Sequence, residues 1–181
     1  MRIIHFSDFH LQGGKILILH KINAEKLLDA LRKVNKQKEI DLVVFGGDLI
    51  DRGGESFSSP TEGFKTFEEI VLLPIKSELG LTNEHIIIVP GNHDKDVSLL
   101  TKGADSLMKS LGTETKVMKF LFSDNSTNEN MKGMLAYYAF RDAFYNGIAE
   151  YSKSETDFAS CLKNQIEGKK IGIAMLNTAW G

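Results

Sequence analysis

Three observations predict an α/β fold built on parallel strands. Three short apolar runs have the length and β-branched content of buried strands: Ile3-Ile4-His5-Phe6, Leu42-Val43-Val44-Phe45 and Ile86-Ile87-Ile88-Val89. Each run delivers Asp, His or Asn at its carboxyl end, as Ser7-Asp8-Phe9-His10, Gly46-Gly47-Asp48-Leu49-Ile50-Asp51-Arg52-Gly53 and Gly91-Asn92-His93-Asp94. Helical stripes separate the runs, and strands alternating with helices are what parallel α/β layers require.

Taken in order, residues 2–7 read as the first strand, and Gly13-Gly14 opens a loop. A helix is expected from about residue 23 to residue 36, with Leu27, Leu31 and Val34 as its apolar stripe. Residues 41–46 form the second strand, followed by a loop over residues 51–59 rich in Gly and Ser. Ser59-Pro60-Thr61-Glu62 is a helix start: Ser59 caps, Pro60 suits the first turn, and Glu62 closes a capping box. Phe64, Phe67, Val71 and Ile75 then share one face, and Pro74 should kink or end that helix early.

Residues 86–89 are the third strand. Beyond residue 97 the expectations are a helix over 97–111, a strand over 117–122 and a polar loop over 124–130. A helix over 134–151 and a buried strand over 171–176 complete the chain. No repeat, low-complexity tract or linker interrupts it, so one domain over residues 1–181 is expected.

Apolar residues make up 42% and charged residues 25%, an ordinary balance for a globular protein. The net charge of -2 offers no bulk attraction for nucleic acid or an acidic membrane. The lysines at 33, 36 and 38, and at 169 and 170, read as solvated faces. Cys161 is the only cysteine, which excludes an internal disulfide and a cysteine-based zinc knot. No stretch has the length to cross a membrane, and a cytoplasmic setting is the expectation.

The stretch around Asp48 carries the chemistry. Two glycines let the backbone turn as the strand ends, leaving two carboxylates and an arginine where open α/β sheets collect ligands. Asp48 is placed to hold a metal, Asp51 to orient a partner, and Arg52 to grip an anion. By itself Gly-Gly-Asp-x-x-Asp also fits an ordinary polar loop. Three strand ends sharing one context argue against that. Asp8 and His10 lie two apart, so on a strand they point the same way. Carboxylate with imidazole suits Mn²⁺, Fe²⁺ or Zn²⁺ better than Ca²⁺. Asp48 can bridge to a second ion, to which Asn92 offers an amide oxygen. His5 reads as a core or packing residue, and His20 and His85 as surface residues.

Asp8-Phe9-His10, Gly47-Asp48-Leu49-Ile50-Asp51-Arg52-Gly53 and Gly91-Asn92-His93-Asp94 resemble, in order and separation, the first three signature blocks of the calcineurin-like metallophosphoesterases. The resemblance is specific through about residue 96. It implies a layered α/β sandwich and two divalent ions, Mn²⁺ foremost with Fe²⁺ or Zn²⁺ as alternatives. It also implies Asp8 and His10 on one ion, Asp48 bridging both, and Asn92 on the second. His93 would act at the phosphoryl or leaving oxygen, Asp51 would orient it, and Arg52 would bind phosphate oxygens.

The family completes its site with later histidines, and this sequence has none after His93. The expectation is therefore the N-terminal part of a longer domain, weakly active or inactive in isolation. Residues 4–11 are similar to the opening of a repair-complex nuclease subunit. Residues 89–94 and 176–180 are similar to phosphoesterase domains set ahead of regulatory NTPase modules, so a downstream NTPase or regulatory domain is an expected partner. The expected activity is hydrolysis of a phosphodiester in a nucleotide or nucleic acid. The alternatives are a phosphomonoesterase and a non-catalytic phosphate- or nucleotide-binding module.

Overall fold

The computed structural model describes residues 1–99, 110, 112–116, 132–154 and 157–179. The expected strand over 117–122 and loop over 124–130 lie outside these residues. So does most of the helix expected over 97–111, of which Val97–Leu99 forms a short 3₁₀ turn.

The three apolar runs form one parallel sheet in the order β1-β2-β3, with β1 at Ile3–Phe6, β2 at Leu42–Phe45 and β3 at Ile86–Ile88. The register runs from Ile3 opposite Leu42 to Phe6 opposite Phe45, and from Val43 opposite Ile86 to Phe45 opposite Ile88. β2 is central, and Leu42, Val43 and Phe45 are buried with all three isoleucines of β3. A strand covered on both faces needs no polar alternation, which is why the β2 and β3 runs read as continuously apolar, while β1 leaves Ile3 and His5 exposed.

Helix α1 spans Leu17–Gln37 and joins β1 to β2. It starts six residues before the sequence expectation, because Ile18, Leu19 and Ile22 sit on its outward side, 65%, 58% and 42% exposed. These aliphatics belong to no inward stripe, so periodicity hides the first turns. The second crossover is one long rod: α2 (Pro60–Phe67), a π turn (Glu68–Leu72) and α3 (Leu73–Leu79). Pro74 does not end it. The wider π turn lies just before Pro74, which takes one of the first two positions of α3, where a missing N–H costs little. Phe64, Phe67, Val71 and Ile75 are all buried, as their spacing implies. The cap is shared: Ser59 Oγ accepts from the Glu62 N–H at 3.1 Å, while the Glu62 carboxylate accepts from the Ser58 N–H, one residue earlier than a capping box requires.

Helix α4 (Leu135–Phe144) is shorter than expected, and Tyr151 belongs to a strand. That strand, β4 (Tyr151–Lys153), begins an antiparallel sheet with β5 (Ala159–Ile166) and β6 (Lys169–Leu176). Among the described residues the parallel layer is therefore one of two sheets. Glu167 and Gly168, both at positive φ, close the β5–β6 hairpin in the backbone conformation that a tight two-residue turn demands. Tyrosines from the α4 region meet the edge of β3 away from β2. The Tyr145 hydroxyl accepts from the Ile88 N–H at 3.0 Å and donates to the Ile86 carbonyl at 2.9 Å, and the Tyr137 hydroxyl donates to the Ile88 carbonyl at 3.1 Å. No helix among the described residues is long and apolar enough to cross a membrane.

Candidate metal centre

The first two strand ends continue side by side as paired loops. Asp8 N–H donates to Gly47 O, His10 N–H to Asp48 O, Leu11 N–H to Leu49 O, and Asp51 N–H back to Leu11 O. This pairing is not regular strand. Asp8, His10, Asp48 and Arg52 all have positive φ, at 58°, 45°, 54° and 46°. Asp8 and His10 converge through these left-handed turns rather than through strand alternation, and Asp8 Oδ1 lies 3.8 Å from His10 Nε2.

The third loop is drawn against the second by close backbone approach. A Cβ on Gly91 would sit 2.1 Å from Asp48 Oδ1, and one on Gly47 would sit 2.6 Å from the Gly91 nitrogen. Only glycine fits either place. Asp94, 1% exposed, bolts the loops together: its Oδ1 accepts from the N–H groups of Leu49 at 2.8 Å and Ile50 at 3.0 Å. Its Oδ2 accepts from Gly91 N–H at 2.9 Å. Burial pushes the Asp94 carboxyl up to about 7, against the pull of those three donors.

At the centre, donor atoms of His10, Asp48 and His93 all lie within 4.8 Å of one another. Asp48 Oδ2 is 3.8 Å from His10 Nε2, while Asp48 Oδ1 accepts from the His93 backbone N–H at 2.8 Å. His93 Nδ1 meets Asp51 Oδ1 at 2.8 Å. The carboxylate can only accept, so this bond puts the proton on Nδ1 and leaves Nε2 free to act outward. The two rings stand edge to face with centroids 4.3 Å apart. His10 and Asp48 present an imidazole and a carboxylate, a borderline pair that suits Mn²⁺, Fe²⁺ or Zn²⁺, and the His93 ring stands beside them.

Asp8 stands at the rim, its side chain 67% exposed. Asn92 is also exposed, on the short turn that carries His93. Asp8 lines an opening shared with His20 and Asn23, while Asn92 lines one shared with His93. Arg52 is exposed too, with its guanidinium 3.8 Å from Glu55. Arg52, Asn92 and His93 share a cleft of about 540 Å³ with Phe57, Ser59 and Lys95, so the arginine flanks the histidine face from solvent.

Two residues stand out to which sequence reasoning assigned no role: Asp94, visible within its block but not as an acceptor, and Gln12, whose amide donates to Asp51 Oδ2 at 3.0 Å. The remaining histidines match expectation only in part. His5 is exposed and lies over Gly46, while His20 is half-buried and accepts from the Gln12 N–H at 3.3 Å. His85 is half-buried and bonded to Thr82 at 2.8 Å.

A family model for the calcineurin-like phosphoesterases matches residues 1–161. The chain belongs to that family. Among curated relatives it is 24% identical over 180 residues to YydB of Bacillus subtilis (strain 168), an uncharacterized metallophosphoesterase-like protein, covering 98% of this chain and 33% of that one. It is 28% identical over 99 residues to a component of the SbcCD nuclease of Escherichia coli (strain K12), covering 55% of this chain and 22% of that protein. It is 30% identical over 101 residues to a probable glycerophosphodiester phosphodiesterase, GpdQ, of Arcobacter nitrofigilis, covering 55% and 32%. The chain thus spans about a third or less of the relatives it matches. The family uses divalent metals, which agrees with the donor set built by the three loops.

Proposed function

We propose that this chain is the metal-holding part of a phosphodiesterase that hydrolyses a nucleotide or nucleic-acid phosphodiester. The observation that carries the reading is the convergence of His10, Asp48 and His93, with His93 held by Asp51. Asp8 and His10 would hold one divalent ion, Mn²⁺ first, Asp48 would bridge, and Asn92 would reach the second. When bound, the ions supply Lewis-acid polarisation of the phosphoryl oxygens and an activated water. The chain's own residues do the rest. Arg52 grips phosphate oxygens at the cleft. His93, protonated at both ring nitrogens, gives its Nε2 proton to the departing oxygen and keeps its Nδ1 proton on Asp51, which fixes the ring. The names of the nuclease component and of the probable phosphodiesterase support a diester over a monoester. A cytoplasmic setting and a downstream NTPase or regulatory domain belong to the same reading.

Three variants of the full-length protein test it on a chromogenic phosphodiester. His93→Ala should lower kcat by ~10²–10⁴-fold with metal content unchanged, since it removes acid–base assistance. Asp48→Ala should lose both metal and activity, and Asp51→Ala should fall between them. If His93→Ala strips the metal, His93 is a ligand and not the proton donor. The isolated 181-residue chain should turn over weakly, and brisk Mn²⁺-dependent hydrolysis by it would contradict that expectation.

A further inference from the structure

We propose that Gln12 is a positioning residue that decides which of two histidines the Asp51 carboxylate serves. The inference rests on the reading above, in which the Asp51–His93 pair acts at the leaving oxygen. Asp51 Oδ1 faces both rings, 2.8 Å from His93 Nδ1 and 3.5 Å from His10 Nδ1. The rings are perpendicular and touching, so a modest turn of the carboxylate would exchange one partner for the other. What holds the carboxylate plane is its other oxygen, which accepts from Gln12 Nε2 at 3.0 Å. A carboxylate has no proton to give, so the amide must present its NH₂ there.

Gln12 is itself held from both sides. Leu11 N–H donates to Leu49 O at 3.1 Å, Asp51 N–H donates to Leu11 O at 3.1 Å, and Gly13 N–H donates to Ser56 Oγ at 2.8 Å. The Gln12 N–H itself reaches His20 Nε2 at 3.3 Å, from the first turns of α1. The backbone that carries the amide is thus held in place, and the job of the amide is to aim a carboxylate. It supplies no donor atom to the metal group. Fixing Asp51 on His93 keeps the proton on Nδ1 and the Nε2 atom turned outward. It also leaves His10 free to present Nε2 beside Asp8 and Asp48.

The test uses Gln12→Leu and Gln12→Met in the full-length protein, two near-isosteric side chains without a donor. Four quantities are read: kcat, KM, bound metal, and the His93 tautomer from long-range ¹⁵N–¹H imidazole spectra. Loss of such an orienting bond should cost about tenfold in kcat, with KM and metal content within about twofold. The His93 Nδ1–H signature should give way to a mixture of tautomers. In an Asp51→Asn background the same substitution should cost nothing further, because its target is already lost. Unchanged kcat and tautomer in both variants would overturn the proposal, as would loss of metal or an equal cost in the Asp51→Asn background. The spectra need no turnover. A wild-type protein that hydrolyses no phosphate ester would defeat the functional reading, and the tautomer would still decide the role of Gln12.

Discussion

Asp94 satisfies three backbone N–H groups from two loops with one buried carboxylate. Asp94→Ala leaves those donors without that acceptor, and a single orphaned buried group already costs ~1–3 kcal/mol. The variant should therefore lose about 3 kcal/mol or more in urea unfolding. Asp94→Asn should lose less, because its amide oxygen still serves Leu49 and Ile50 while its NH₂ faces the Gly91 N–H. Equal stability in all three proteins would mean that the loops are held by something else. This role was not legible in the sequence. Asp94 stands three residues after Gly91, but its other partners lie 44 and 45 residues away. Gln12 was hidden for the same reason, 39 residues from Asp51. The donor residues His10 and Asp48 were legible because each closes an apolar run, and their chemistry is stated by residue type.

At the scale of elements, the parallel sheet was readable, whereas of the antiparallel one only β6 was. That strand is largely exposed rather than buried as expected, with Met175 its one buried side chain. Strands β2 and β3 are apolar along their length and β1 departs only at His5, whereas β5 spends two inward positions on polar side chains. Ser160 is buried there, and Asn164 donates to the Glu84 carbonyl at 2.9 Å, so only Leu162 and Ile166 mark the inner face. Alternation with half its apolar positions missing gives no period to detect. The long rod from Pro60 to Leu79 was readable in its buried face but not in its continuity, because a π turn has no signature in composition. The tyrosine contacts on β3 lead to a prediction of their own. Tyr145→Phe keeps the ring and removes the hydroxyl that serves Ile86 and Ile88. It should destabilise the chain by about 1–3 kcal/mol and speed amide exchange at Ile88 above that of the β2 residues. Unaltered exchange at Ile88 would show that another group covers that edge.

For the whole molecule, three carboxylates (Asp8, Asp48 and Asp51) gather around His10, and a divalent cation is the natural answer to that charge. An ion that binds only the folded state raises stability with its concentration, by ~2.7 kcal/mol at a hundred times Kd. Mn²⁺ should thus raise Tm in a saturable way, EDTA should reverse the shift, and Asp48→Ala should abolish it. A Tm indifferent to metal would count against the centre. The left-handed backbone at Asp8, His10, Asp48 and Arg52 has a different kind of consequence. Each such residue carries a backbone cost on the order of 1 kcal/mol that glycine would not. A library of this chain sorted on heat resistance alone would therefore enrich glycine at those four positions and discard the donors together with the strain. Engineers seeking a hardier version have safer ground on the outer face of α1, where Ile18 and Leu19 meet water and carry no donor atom.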